Sequence, residues 1–364
     1  MIGLTLHGYI ALNFLRNLAL MIIGLALLIA TVDFIEFIRR AADIETVSLW
    51  QLYGIALLRT PLFVEKAFPF ACLFAAMRTL TQMNSKMELV VARAAGVSAW
   101  QFLLPISMSA ILVGALLATV YNPLSTSSTL WAKNLQAELL SERKERRSKA
   151  QRDQWIKQED VGGGHTILNA EIARKKGTHL SNVKILRFSA SGDLISRIDA
   201  KRVIHLDTRW QLVDAKFIDS EGQVTEKAED FLETSLTRDQ LLGITGKPDE
   251  VSFWELRETA ERVEKSGTNG NPYKVQFYSL TAMPAFLFAM ILVAACVCLK
   301  FVRFGQLGRM ILGGIICGFV LYTVSNLVTA LGSNGVVSPA IAAWSPGFVA
   351  ILISISVLLH QEDG

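Results

Sequence analysis

The stretch "SKMELVVARAAGVSAWQ" (residues 85–101) lies between two strongly apolar runs and is itself too polar to cross a membrane. Ser85 and Glu88 have the spacing of a capping box, in which a serine and a glutamate three residues later begin a helix. Gly96 can adopt the left-handed conformation that ends a helix. The stretch therefore predicts a separate helix over residues 86–95 that connects two membrane spans.

The chain outside this stretch is apolar near both of its ends. Of its 364 residues, 51% are hydrophobic and 19% are charged, and its mean hydropathy is +0.37, which argues against an ordinary soluble protein. A helix of about 20 residues crosses the roughly 30 Å hydrocarbon core of a bilayer. A second capping box, formed by Ser98 and Gln101, begins the third span. The predicted spans lie at about residues 11–33, 55–77, 101–121, 278–300, 310–331 and 338–359.

The hydrophobic period changes between the third and fourth spans. Apolar and polar residues alternate in "VKILRFS" (183–189), "LISRIDAKRVIHLD" (194–207) and "RWQLVDAKFID" (209–219), which is typical of half-buried strands. Six to eight strands are expected, enough for an antiparallel sandwich or an open barrel. A surface helix is predicted to close this block over residues 252–266.

The predicted fold is an α-helical membrane protein with six transmembrane helices and an all-β domain inserted between helices 3 and 4. Its parts are residues 1–121, 122–277 and 278–364. Lys and Arg favour the cytoplasmic ends of spans, which places the connections 78–100 and 300–309 in the cytoplasm. Both termini are then cytoplasmic and the central domain lies outside. The basic residues behind this orientation are Arg78, Lys86, Arg93, Lys300, Arg303 and Arg309.

No catalytic motif is visible in the chain. It contains no phosphate-binding loop of the form GxxxxGK[ST], no HExxH and no GxSxG. Its four cysteines all fall within predicted spans, and the histidines of the central block lack metal-ligand spacing. We therefore predict no catalytic residue, metal or cofactor in this chain, and active transport would require ATP hydrolysis on a separate protein.

Glu88, Ala92 and Ala95 recur at i, i+4 and i+7 and form one narrow face of the predicted helix 86–95. A face of small side chains with an acid at one end fits a groove on another protein. Alternatively, Glu88 only caps the helix and the alanines only favour helix formation at the membrane interface. Residue spacing alone leaves both explanations open.

Charged residues in or beside the spans are a second candidate site. An ionisable group at membrane depth costs roughly 2.5 to 3.5 kcal/mol and is usually paired or faces water. Glu36 and Arg40 have the i, i+4 spacing of an ion pair. The alternative to a binding site is therefore that these charges only hold the helices together. The candidates are Arg39, Arg40, Arg59 and Lys66.

The segment "MELVVARAAGVSAWQFLLP" (87–105) resembles the cytoplasmic coupling-helix signature of the LptF/LptG family of permeases. The resemblance extends over nearly the whole chain and is stronger to the LptG branch, chiefly in "MELVVARAAG" and "DFIEFIRR". The other matching segments are "DFIEFIRRA" (33–41), "PLFVEKAFPF" (61–70), "QWIKQED" (154–160), "SFWELRETAERVEKSG" (252–267) and "TAMPAFLFAMILVA" (281–294).

The resemblance implies a subunit of the lipopolysaccharide export machine in the inner membrane of Gram-negative bacteria. Two homologous six-span subunits, LptF and LptG, would pair with a cytoplasmic ATPase dimer, LptB, which holds ATP and Mg²⁺. The central domain would be a β-jellyroll that continues a bridge through LptC and LptA. Lipopolysaccharide and membrane lipids are the expected ligands, and no nucleic acid is expected.

The resemblance also implies roles for particular residues. Glu88 is expected to meet a basic group on the ATPase. The expected coupling residues are Glu88, Ala92, Arg93, Ala95 and Gly96.

Arg39 and Arg40 occupy the stretch whose basic residues contribute to binding of lipid phosphates in the family, and guanidinium groups suit phosphate oxygens. The second span departs from the enterobacterial pattern, in which a lysine directly follows the proline. Here Leu62 takes that position. Lys66 and Arg59 are the expected substitutes.

Gly314 and Gly318 in the fifth span form a small-xxx-small pair, which permits close helix approach. Ordinary packing within this chain is one explanation. The family's cavity opens between the first span of one subunit and the fifth of the other, so a gate surface is the competing explanation.

Two further functions stay open. A membrane-anchored scaffold that only adds strands to a periplasmic sheet would keep its function as an isolated outer domain. A lipid-modifying enzyme would need a nucleophile or metal constellation at the membrane interface, and no such grouping is visible in the sequence.

Overall fold

The computed structural model describes residues 4–41, 48–88, 91, 94, 96, 98–139, 154–159, 165–174, 179–189, 191, 193–206, 209–219, 223–234, 247–265, 269–299 and 307–363. The chain divides into two compact units. The first consists of Met1–Leu139, Asp249–Leu256 and Asn271–Gly364, and the second of Leu140–Pro248 and Arg257–Gly270.

The first unit consists of long apolar helices. In the described part of the chain, six helical stretches are long and apolar enough to cross a membrane, which confirms the six predicted spans. The described residues include the α-helices α1 (Leu4–Ala41), α2 (Leu49–Ser85), α3 (Ala99–Leu116), α4 (Asn122–Leu139), α5 (Phe253–Lys265), α6 (Asn271–Cys298), α7 (Leu307–Ser333) and α8 (Pro339–Asp363).

The third span continues past its predicted end at residue 121. A π-helical turn, Leu117–Tyr121, joins α3 to α4 without a break, and the Asn122 amide donates to the Leu117 carbonyl five residues back. The stretch that follows is polar, but its hydroxyls are bonded: Thr129 donates to the Ser125 carbonyl of its own helix, and Ser128 donates to the Leu58 carbonyl of α2. Hydropathy detects only the apolar part of such a helix.

The unit boundaries consequently differ from the predicted domain boundaries at 121/122 and 277/278. The first unit keeps the polar helix α4 and extends to Leu139. After the inserted sheet, α6 begins at Asn271, seven residues before the predicted start of the fourth span at residue 278. Polar turns at the ends of both helices account for the difference.

A glycine brings the spans α3 and α6 close together. Gly114 of α3 lies against the backbone of α6, where a Cβ at this position would come within 2.6 Å of the Pro284 Cα. Only a residue without a side chain permits this approach, as is common between membrane helices.

The second unit contains a six-stranded antiparallel sheet whose strands are paired in chain order. This confirms the predicted all-β domain between the third and fourth spans. Its core includes Trp210, which is fully buried. The strands are β1 (Gln154–Glu159), β2 (His165–Arg174), β3 (His179–Phe188), β4 (Leu194–Leu206), β5 (Arg209–Asp219) and β6 (Val224–Glu233).

A line of interrupted pairing crosses the middle of the sheet. Strand pairing skips Asn182, Lys201 and Asp214 but keeps its register on both sides of them. Asn182 and Asp214 have left-handed φ values of 51° and 54°, which Asn and Asp adopt more readily than most residues. The alternation of buried residues shifts by one at this line.

This shift is visible as a spacing of three between buried residues. In β5, for example, Leu212 and Ala215 are both buried, whereas a regular strand would bury every second residue. The apolar residues on both sides of the line thereby join one core.

Helix α5 closes the inserted block and begins one residue later than predicted, at Phe253, while the predicted last residue, Ser266, lies outside the described residues. Its buried residues Leu256, Ala260 and Val263 recur at helical spacing, and the Glu255 amide donates to the Ser252 carbonyl at its start.

Replacing Gly114 tests the packing of α3 on α6. Gly114→Ala is expected to lower the free energy of unfolding by about 1–3 kcal/mol, because the added methyl group meets backbone atoms that cannot rotate away. Thermal unfolding in detergent micelles measures the change. Gly24→Ala is the control, because a Cβ there meets nothing within 4 Å. Equal midpoints for the two variants would contradict the close contact.

Candidate functional site

The connection between α2 and α3 contains a helical turn, but it does not begin as predicted. Ser85 is the last residue of α2, and its hydroxyl donates to the Gln82 carbonyl, so the Ser85–Glu88 capping box is wrong. The new turn begins at Met87, which has a φ of 59° and accepts a bond from the Val91 amide at 3.0 Å. Helix α2 simply extends further than the serine signal suggested.

The remainder of the predicted coupling segment is partly described. Glu88, Val91 and Ala94 are helical, and Gly96 has a φ of 86°, as its predicted role at the helix end requires. The second box is confirmed, with the Ser98 hydroxyl accepting from the Gln101 amide. Three predicted coupling residues lie outside the described residues: Ala92, Arg93 and Ala95.

Glu88 is linked to the first span. The Tyr9 hydroxyl donates to its carboxylate, with distances of 3.2 Å and 3.4 Å to the two oxygens. Val91 beside it is 67% exposed. The described part of the connection therefore presents an apolar side chain and an acid together, a combination suited to contact with another protein.

A buried polar contact ties α1 to α2 near the same end. The Asn17 amide nitrogen donates to the Thr79 hydroxyl at 2.9 Å and to the Gln82 side chain at 3.1 Å. Bonds of this kind between membrane helices are worth roughly 0.6–2 kcal/mol. They hold the start of the connection against the first span.

The four basic candidates have different environments. The Arg39 side chain is 77% exposed and pairs with Glu36 at 2.7 Å. Arg40 lies in α1, but its side chain is outside the described residues. The predicted Glu36–Arg40 pair therefore stays a prediction, and the described partner of Glu36 is Arg39.

Arg59 is enclosed between α1 and α2. Its guanidinium lies 3.7 Å from Asp33 and over the rings of Phe37 and Phe63, at 5.1 Å and 5.6 Å from their centroids. Only 24% of the side chain is exposed. These contacts favour the structural explanation for Arg59 over the ligand-binding one.

Lys66 has a partner that the sequence did not indicate. Its ammonium group lies 2.6 Å from Asp249, in the 3₁₀ turn Pro248–Glu250, and 51% of its side chain stays exposed. The next residue, Glu250, pairs with Lys133 of α4. Two adjacent acids of one turn thus contact lysines from two helices.

Glu65, next to Lys66, is buried in a hydrogen-bond network. Its carboxyl oxygens accept from the Asn122 amide at 2.9 Å and from the Ser125 hydroxyl at 2.7 Å. The Asn122 side-chain oxygen in turn accepts from the Phe253 backbone amide at 2.8 Å. Asn122 therefore joins α2, α4 and the start of α5.

Two further contacts hold the start of α5. The Trp254 indole donates to the Thr119 carbonyl at 3.2 Å, a carbonyl in the π-helical turn. The Phe253 ring stacks on Phe277, with centroids 5.3 Å apart. π-Helical turns are frequent at functional sites, and this one places Asn122 and the Thr119 carbonyl beside the same short segment.

These contacts differ in strength. Exposed ion pairs such as Lys66–Asp249 are worth roughly 0.2–1 kcal/mol. Removing a partner from a buried polar group costs about 1–3 kcal/mol, and more when the group is charged. The Asn122 network is therefore the firm attachment of this segment, and the two lysine pairs are the weak ones.

The polar residues around Asn122 lie about one bilayer thickness from the 86–98 connection. At 1.5 Å per residue, α2 rises about 29 Å between Ser85 and Lys66. The rise from Ala99 to Asn122 is about 35 Å on the same basis. Since the hydrocarbon core is about 30 Å thick, the two regions are far enough apart along these helices to reach opposite membrane surfaces.

The predicted glycine pair of the fifth span packs against the second span. A Cβ on Gly314 would meet the Met77 side chain, and one on Gly318 would meet Leu73. Both neighbours belong to α2 of the same chain. This contact agrees with the packing explanation and leaves the gate role a prediction.

The chain matches known proteins over most of its length. A family model described as lipopolysaccharide export system permease LptF/LptG matches residues 8–360. The lipopolysaccharide export system permease protein LptG of Haemophilus influenzae is 24% identical over 367 residues, covering 99% of both chains. The protein of the same name from Escherichia coli K12 is 26% identical over 319 residues, covering 84% of both. With its six apolar helices and inserted sheet, this chain belongs to the LptF/LptG family of lipopolysaccharide export permeases.

Proposed function

We propose that this chain is the LptG-type transmembrane subunit that extracts lipopolysaccharide from the inner membrane and delivers it toward the outer membrane. The observation that carries the proposal is the family match over residues 8–360. The chain acts as a non-catalytic subunit, and ATP is hydrolysed with Mg²⁺ on an LptB-like ATPase dimer. Both termini and the 86–98 connection face the cytoplasm, and the sheet lies in the periplasm.

The ATPase contacts the 86–98 connection. Glu88 and the exposed Val91 support this role, because together they offer a charged and an apolar contact. Tyr9 then passes a displacement of Glu88 to α1, since its hydroxyl bonds directly to that carboxylate. Ala92, Arg93 and Ala95 complete the contact surface in this proposal.

A homologous six-span subunit packs against α1 and α7. These two helices are the least buried spans, with 11% of their most apolar stretch buried, against 33% to 61% for the other four. Their exposed side chains, such as Leu27 at 62% and Phe319 at 61%, need lipid or another helix around them. An LptF-like partner supplies that helix, and Gly314 and Gly318 set the position of α7 at the gate.

Lipopolysaccharide phosphates bind near the periplasmic ends of α1 and α2. Arg39 and Arg40 are the leading candidates, with Lys66 next, because Arg39 and Lys66 keep much of their side chains exposed. Arg59 is the weakest, given its enclosure by Asp33 and two phenylalanine rings. The sheet then passes the lipid to LptC-like and LptA-like jellyroll proteins.

Charge reversal at Glu88 tests whether the 86–98 connection couples this chain to the ATPase. Glu88→Lys in the assembled complex is expected to lower ATPase activity about 10-fold or more, since a buried interfacial charge of the wrong sign costs several kcal/mol. Phosphate release in proteoliposomes measures it. Glu255→Lys, the same reversal on α5, is the control and should keep normal activity. Full activity of the Glu88 variant would count against the docking role.

Photo-crosslinking in cells tests the lipid site. A photoreactive residue at position 39, 40 or 66 is expected to give a lipopolysaccharide adduct whose yield depends on ATPase activity, because the lipid phosphates are proposed to bind at these positions. Position 59 is the internal control, with the lowest expected yield because its side chain is enclosed. Immunoblotting for lipopolysaccharide detects the adducts. No adduct at 39, 40 and 66 would remove the substrate-site proposal.

A further inference from the structure

The turn Pro248–Glu250 places two adjacent carboxylates on two lysines of different helices. Asp249 contacts Lys66 of α2, and Glu250 contacts Lys133 of α4. Without these acids, neither ammonium group would keep the carboxylate that neutralises it here. The turn thus covers a site that has the charge and donor pattern for a phosphate group.

The lysine side chains are more exposed to solvent than the acidic side chains that contact them. The side chains of Lys66 and Lys133 are 51% and 44% exposed, whereas those of Asp249 and Glu250 are 27% and 14% exposed. Each ammonium group has three donors, and a single carboxylate does not use them all. An incoming anion can therefore reach the lysines before the acids have left.

The attachment of the turn is firm at one end and weak at the other. The Phe253 amide is bonded to Asn122, and the Trp254 indole to the Thr119 carbonyl. The acidic residues lie three or four positions earlier and are held by partly exposed ion pairs, which are weak in water and screened by salt. The acids can therefore leave the lysines while Phe253 stays in place.

We propose that Asp249 and Glu250 are internal substitutes for phosphate, which occupy Lys66 and Lys133 until the phosphate of a lipid headgroup displaces them. The identity of the lipid rests on the proposed function. Lys133 thereby joins Lys66 as a binding residue. Arrival of the lipid releases the acidic turn, which precedes the segment that leads back to the fourth span.

Binding of diphosphorylated lipid A to the full chain in nanodiscs tests this exchange. The Asp249→Asn, Glu250→Gln variant keeps the side-chain shapes but removes the competing charges, so its dissociation constant should fall about 3- to 10-fold. Adding Lys66→Gln and Lys133→Gln to this variant should abolish the gain in affinity for lipid A. Glu255→Gln removes a charge that takes part in neither pair and is expected to bind as the unmodified chain does.

Two other probes separate the sources of phosphate. The Asp249→Asn, Glu250→Gln variant (the amide variant) should bind dephosphorylated lipid A no more tightly than the unmodified chain does. Inorganic pyrophosphate should bind much more weakly than lipid A. A gain with the dephosphorylated lipid, or equal binding of pyrophosphate, would overturn the proposal. An unchanged or larger dissociation constant in the amide variant would overturn it as well.

Hydrogen exchange on the unmodified chain gives an independent measurement. Lipid A should speed exchange of the amides at residues 249–251 while the Phe253 amide stays protected. Unchanged exchange at 249–251 in the lipid-bound state would contradict displacement. Lipid A that binds equally well in every variant overturns this inference alone, whereas no lipid binding by the unmodified chain overturns the proposed function too.

Discussion

A buried carboxyl group controls the arrangement of the first unit. Glu65 is 5% exposed, and it is tolerated there because the Asn122 amide and the Ser125 hydroxyl both donate to it. Asn122 then has its side-chain oxygen free to accept the Phe253 amide. One asparagine thus fixes α2, α4 and the segment returning from the sheet. The lysine pairs with Asp249 and Glu250 depend on that fixed position.

Much of the fold could be predicted from hydrophobic pattern and capping, because these signals are local. The six spans, the strands and the Ser98 cap all follow from residues near each other in sequence. The continuation of the third span through Asn122 was missed, because polar helices leave no hydropathy signal. The shift in the sheet at Asn182 and Asp214 was also missed, although the spacing of three between buried residues was there to be found.

The candidate site was less predictable, because its contacts join distant parts of the chain. Lys66 was singled out from charge in an apolar run, but its partner Asp249 is 183 residues away. Asn122 was not singled out, because nothing near it in sequence marks it as the partner of Glu65, 57 residues away. Arg59 shows the converse case, since a charge expected to bind ligand is enclosed by Asp33 and aromatic rings.

The central claim is that Glu65 and Asn122 act as a unit, and a double-mutant cycle on the full chain tests it most directly. Glu65→Ala, Asn122→Ala and the double variant are compared by their free energies of unfolding in detergent micelles. We predict a coupling energy of about 1–3 kcal/mol, because each single variant leaves a buried polar group without its partner. Effects that add to within about 0.5 kcal/mol would contradict the claim.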